Sequence, residues 1–308
     1  MAGGIWELLG ALGPVFALIA LGYGLHRYQI PGGDFWSGAE RLTYFVLFPA
    51  LLLSRLAATP MSIAGLWRLA LAAGLLTGAM SVLLLVLRRQ LATNGPAFSS
   101  VYQGAVRFNT YLGLAAAAAL YGSAGLAQAA LLIGVLIPLV NVLCVAVLAR
   151  HAGERPTPLA GTLRALARNP LILACVGGIL LSLSGIGPPP GLAGMLDILA
   201  RAALPLGLLA VGAGLRPLAS AQAWRPLLGA ALLKLMVLPV LAAAIAGLLT
   251  LAPPESQALV LFAALPSAPS AYILARQMGG DAELMAAIIT LQTGLALVSL
   301  PLMLWLLA

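Results

Sequence analysis

The stretch Leu259-Val-Leu-Phe-Ala-Ala-Leu-Pro-Ser-Ala-Pro-Ser-Ala-Tyr-Ile-Leu-Ala-Arg276 is long enough to cross a bilayer, yet Pro266 and Pro269 stand near its middle with Ser267 and Ser270 beside them. Each proline lacks an N–H and clashes with the carbonyl one turn back, so the sequence predicts a helix broken at Pro266–Pro269. Hydrocarbon cannot satisfy the freed backbone groups, and such a break survives only inside protein or beside a water-filled cavity. Interrupted helices at matching places in two repeats point to a carrier's substrate site, which makes a second copy the feature to seek.

A nearly constant offset locates that copy. Pro14 pairs with Pro170 and Pro49 with Pro205 at a spacing of 156, and Trp67 pairs with Trp224 and Gly122 with Gly279 at 157. Four pairs in chain order argue for duplication of a unit about half the chain long. The same offset sets Asn109-Thr110-Tyr111-Leu112 against Pro266–Pro269, and both stretches interrupt apolar runs with polar residues.

With 308 residues, 62% hydrophobic and only 8% charged, the chain is an integral membrane protein by composition. A net charge of +8 would point to nucleic acid in a water-soluble chain, but here most arginines lie between apolar runs, and no nucleic-acid partner is expected. Cys144 and Cys175 lie in apolar segments without metal-ligand spacing and read as buried thiols, so no metal or cofactor is expected. The start, Met1 to Glu7, lacks a basic leader, and the first apolar run reads as a retained helix.

Apolar runs fall at about 5–25, 41–58, 67–87, 97–121, 127–149, 169–186, 195–215, 226–249, 256–278 and 284–307. The expected fold is all-α, with ten transmembrane helices arranged as two five-helix repeats, 1–150 and 169–308, joined by a connector at 151–168. An odd number of crossings per repeat inverts the second relative to the first, with the broken fourth and ninth helices crossing. Arginines crowd the links after the odd-numbered helices, among them Arg88, Arg89, Arg150 and Arg164, which puts those links in the cytoplasm and both termini outside. Gly74-Leu-Leu-Thr-Gly78 reads as a site of close helix packing inside the chain.

Few charges enter the apolar runs, and each is costly against lipid. Asp197 and Arg201, one turn apart, are expected to pair on one helix face. Lys234, the only lysine, has no partner one turn away, and Arg107 lies just ahead of the first break, too deep to reach an interface. No carboxylate falls within either break, and Glu255 and Asp281 read as helix-end groups. The polar candidates are Asn109, Thr110, Ser267 and Ser270 at the breaks, with Asn141 and Gln292 nearby. Together with Pro266, Pro269, Arg107 and Lys234 they form the expected substrate site. Facing half-helix N-termini give a positive potential there, so the expected ligand is an anion, with Asn109 and Lys234 recognising it together.

The segments Arg41 to Ser54, Phe108-Asn-Thr-Tyr-Leu-Gly113, Arg168 to Ile172, Ala203 to Ala210 and Ala264 to Arg276 resemble the bacterial branch of the auxin efflux carrier family, which also holds proteins named as malonate permeases. The resemblance runs over essentially the whole chain. It implies the fold shared with bile-acid symporters and sodium/proton antiporters, in which helices 1, 2, 6 and 7 form a scaffold and helices 3–5 and 8–10 a moving transport domain. It further implies a homodimer built on the scaffold. The long hydrophilic centre of the plant carriers has no counterpart in the short 151–168 link.

The leading expectation is a secondary carrier of a small organic anion in the cytoplasmic membrane, working by an elevator-like alternation of access. A proton- or sodium-coupled antiporter is the alternative, and it would need a titrating or coordinating carboxylate near the crossing. An enzyme would need a Ser/His, paired-Asp or HExxH arrangement within helices, whereas His26 and His151 lie at helix ends or in links. A channel would show rings or rows of polar pore residues, and a nucleotide-driven pump a phosphate-binding loop.

Overall fold

The computed structural model describes residues 5–58, 63–92, 94–152, 167–168, 170–185, 190–215 and 224–307. Most of the expected connector, 153–166, together with 186–189 and Arg216, lies outside the described residues.

Among the described residues every regular element is helical, and each apolar run folds as helix. Helix α1 spans Ile5–Arg27; α2, Phe35–Leu42, passes through a π turn at Thr43–Leu47 into α3, Phe48–Ala57; α4 spans Ile63–Val86. Helix α5, Gly95–Val106, stops at the first break, and α6, Thr110–His151, resumes beyond it. Then come α7, Pro170–Ser184, α8, Pro190–Ala213, and α9, Trp224–Leu232, which continues through a second π turn, Leu233–Val237, into α10, Leu238–Leu248. Helices α11, Pro253–Ala264, and α12, Ser270–Gln277, flank the second break, and α13, Ala282–Leu307, ends the described chain.

Local chemistry sets these boundaries. The Asn94 carboxamide accepts the Ala97 N–H at 2.8 Å and starts α5. Glu255 and Asp281 act as helix-end groups, accepting the N–H groups of Ala252 and Leu284 at 3.1 and 2.9 Å. Gly122 has φ +63° inside α6, and Gly279 has φ +76° just after α12. A side chain at either would be strained, and the two positions are one repeat offset apart.

Helices α1, α4, α8 and α13 are each long and apolar enough to cross a bilayer. Val82, Val86, Ile198 and Leu248 lie exposed on the outer surface, where hydrocarbon rather than water suits them. Helix α1 packs along α8, and α3 packs along both α7 and α8. The remaining long elements, α4–α6 and α9–α13, pack chiefly on one another, with α6 also packing on α1, α3, α7 and α8 and α13 on α1.

Two expectations about packing are corrected. Gly74 and Gly78 meet no atom within 4 Å of where a Cβ would stand, so they are not the close-packing site. That role falls to Gly22 against the Leu209 backbone and Gly212 against the Ile19 backbone, a reciprocal contact that lets α1 and α8 approach closely. Nor do Asp197 and Arg201 pair: the Asp197 carboxylate instead accepts the Ser54 hydroxyl at 2.8 Å, which ties α8 to α3.

Candidate functional site

Both breaks fold as extended backbone. Arg107 follows α5 with φ −72° and ψ 156°, and Leu265 follows α11 with φ −68° and ψ 148°. The breaks touch, the Asn109 N–H donating to the Pro266 carbonyl at 2.8 Å. Gln292 on α13 supports the crossing from behind: its Oε1 accepts the Ser267 N–H at 2.9 Å, and its Nε2 donates to the carbonyls of Gly104 and Ala230 at 3.0 and 3.1 Å. The Ser267 hydroxyl lies 3.3 Å from the carbonyls of Gln103 and Gly104. Buried backbone groups at the two breaks and on α9 are thereby satisfied inside the protein.

A cavity of about 500 Å³ opens on one side of the crossing. Six of the ten expected site residues line it: Arg107, Asn109, Thr110, Asn141, Pro269 and Ser270. Lys234, Pro266, Ser267 and Gln292 do not. The expected joint contact of Asn109 and Lys234 with one anion is therefore not what the structure arranges, because Lys234 points into a separate crevice beside Thr77, Val106 and Phe262.

The cavity is rich in hydrogen-bond donors. Asn109 caps α6, its Oδ1 accepting the N–H groups of Tyr111 and Leu112 at 3.1 Å each, which leaves Nδ2 buried and without a partner. The Arg107 guanidinium is 8% exposed; it donates to Asn141 Oδ1 and, at 3.4 Å, to the Ser270 hydroxyl, while its Nε is buried and unpartnered. Both α6 and α12 begin at this cavity, so two half-helix N-termini add positive potential. Phe45, Phe108, Ile137, Val140 and Ile273 also line the cavity and give it apolar surface. Tyr111 also lines the cavity and stacks on Phe48 of α3, the rings 4.5 Å apart and 8° from parallel.

Sequence reasoning missed the α2 side of the cavity. Ser37, Glu40, Arg41 and Tyr44 line it at helical spacing, and that polar stripe ahead of the second apolar run was the available signal. Glu40 supplies a carboxylate that neither break contains. Partial burial pushes its carboxyl above the ordinary range.

Such a cavity, built where two helix breaks meet and lined by both polar and apolar side chains, has the size of a small-molecule site. The model of the membrane transport protein family, that of the auxin efflux carriers, matches residues 8–304. The chain is also similar to an uncharacterized transporter of Methanothermobacter thermautotrophicus, 29% identical over 297 residues and covering 94% of each chain. The chain belongs to this family of membrane transport proteins, and it is a transporter rather than an enzyme.

Proposed function

We propose that this protein is a secondary transporter of a small organic anion, which binds in the cavity with a carboxylate against Arg107, Asn109, Asn141 and Ser270 and its apolar body against Phe45, Ile137 and Ile273. One observation carries the reading: Arg107, 8% exposed and hydrogen-bonded through its guanidinium to the neutral side chains of Asn141 and Ser270, lines a cavity bounded by two half-helix N-termini. A buried charge without a counter-charge is costly, and a carboxylate bound against the guanidinium relieves that cost.

In this reading the chain forms ten spans in two inverted repeats within the cytoplasmic membrane, both termini outside, and α4–α6 with α9–α13 slide as a unit against α1–α3, α7 and α8. The packing preferences within those two groups support it. Pro266, Ser267 and Gln292 act on substrate indirectly, by keeping the crossing open.

A thermal-shift screen against mono- and dicarboxylates identifies a ligand, since binding to the folded state raises its stability. Calorimetric titration of that ligand into wild type and Arg107→Gln then tests the site. The expected loss is about 2–5 kcal/mol, as when a buried charge pair loses one member. Equal affinity in the two proteins rejects the assignment.

A second reading, proton coupling, is favoured by the Glu40 carboxylate in the same cavity as Arg41, Arg107, Tyr44 and Tyr111. Deprotonated Glu40 repels an anion, and protonated Glu40 does not.

A further inference from the structure

Lys234 has a setting that the anion cavity does not explain. Its side chain is 1% exposed and leaves the chain at the π turn Leu233–Val237. Among the described residues its hydrogen-bond partner is the Phe262 carbonyl, 3.4 Å from Nζ. Phe262 lies in the last turn of α11, where carbonyls lack intrahelical donors. The crevice around Lys234 also touches Val106, the last residue of α5, and Ala263. No carboxylate lines it, and its free volume of about 10 Å³ is at most one water.

The crossing thus has two electrical sides. Helices α6 and α12 begin at the large cavity, and α5 and α11 end beside Lys234. Each terminating half-helix carries about half a negative charge, and Lys234 lies beside both ends. In carriers with broken helices, half-helix C-termini and unwound carbonyls are what coordinate a coupling cation. We propose that Lys234 is a positioning residue whose ammonium stands in the place of such a cation, so that the crossing is held together without sodium. This goes beyond the anion-binding reading and stands independently of it, because it concerns the opposite side of the crossing.

The test needs no substrate. Thermal midpoints of purified wild type, Lys234→Ala and Lys234→Met are measured at fixed ionic strength in choline, sodium and methylammonium chlorides. Wild type is expected to melt at the same temperature in all three salts. Lys234→Met, which fills the crevice without charge, is expected to melt lower by about 5–10 °C in each. Lys234→Ala is expected to fall at least as far in choline and to recover part of the loss in sodium or methylammonium, which are small enough to enter. The proposal is overturned by a Lys234→Met protein as stable as wild type, by sodium stabilising wild type over choline, or by a Lys234→Ala protein blind to every cation. If Lys234→Ala does not fold, the first two comparisons still decide. Failure of the screen for carboxylate ligands leaves these melts unaffected, so the two readings fail separately.

Discussion

At the scale of single residues, the cavity is lined by one carboxylate, Glu40, and two guanidiniums, Arg41 and Arg107, and in the proposed reading their balance makes anion binding depend on pH. Burial raises the Glu40 pKa, so part of its population stays protonated at pH values where an exposed glutamate is fully ionised. As pH falls through that raised value, the negative charge beside Arg107 disappears and an anion binds more tightly; as pH rises through it, the repulsion returns. Calorimetry of carboxylate binding over a pH series starting near the ordinary glutamate value, about 4.3, should show affinity falling with pH in wild type and a flatter profile in Glu40→Gln. Identical profiles would remove Glu40 from any coupling role. The stability contribution has the same sign: a carboxyl whose pKa is raised by folding disfavours the fold once pH exceeds the unfolded value, so Glu40→Gln should be no less stable than wild type near neutrality.

At the scale of elements, the two breaks were readable because proline and mid-run polar residues have local consequences. Pro266 and Pro269 dictate where the helix ends, and Asn109 is a strong capping residue wherever it precedes a helix. What Lys234 faces was not readable. Its direction is set by a π turn and by the packing of α9–α10 against α4 and α11, neither of which has a signature at the level of spacing. Glu40 was missed for a related reason: α2 is short, and only its packing on α8 brings its polar stripe over the crossing. If the prolines hold the second break open, Pro266→Ala combined with Pro269→Ala should lower carboxylate affinity at least about tenfold and abolish uptake into proteoliposomes while membrane insertion stays intact. Full uptake by the double variant would show the break to be held by Gln292 and Ser267 alone.

At the scale of the whole molecule, hydrophobic run length sufficed for the positions of the helices, since among the described residues each expected run is helical within a few residues. The side of the membrane each link faces follows from arginine placement and remains a proposal to be tested by labelling. Single cysteines at Gly161 and Gly191 are expected to react with impermeant maleimide from opposite faces of oriented vesicles. Reaction from one face would contradict the inverted arrangement. We further expect two copies to associate through α1–α3, α7 and α8, because a moving unit needs a fixed one to slide against; a monomer mass in both mild detergent and nanodiscs would oppose this.

Phe108 lies in the first break, lines both the anion cavity and the Lys234 crevice, and meets Phe262 edge to face with ring centroids 5.3 Å apart. One aromatic ring is thus the partition between a compartment that attracts anions and a fixed cation that would hold one fast. The crevice behind it has room for at most one water, so an organic anion in the cavity does not reach Lys234 while the ring stands in place. In the proposed reading the ring acts as insulation: it keeps the Lys234 charge out of the transport cycle, so that binding in the cavity stays weak enough to be reversed on the other side.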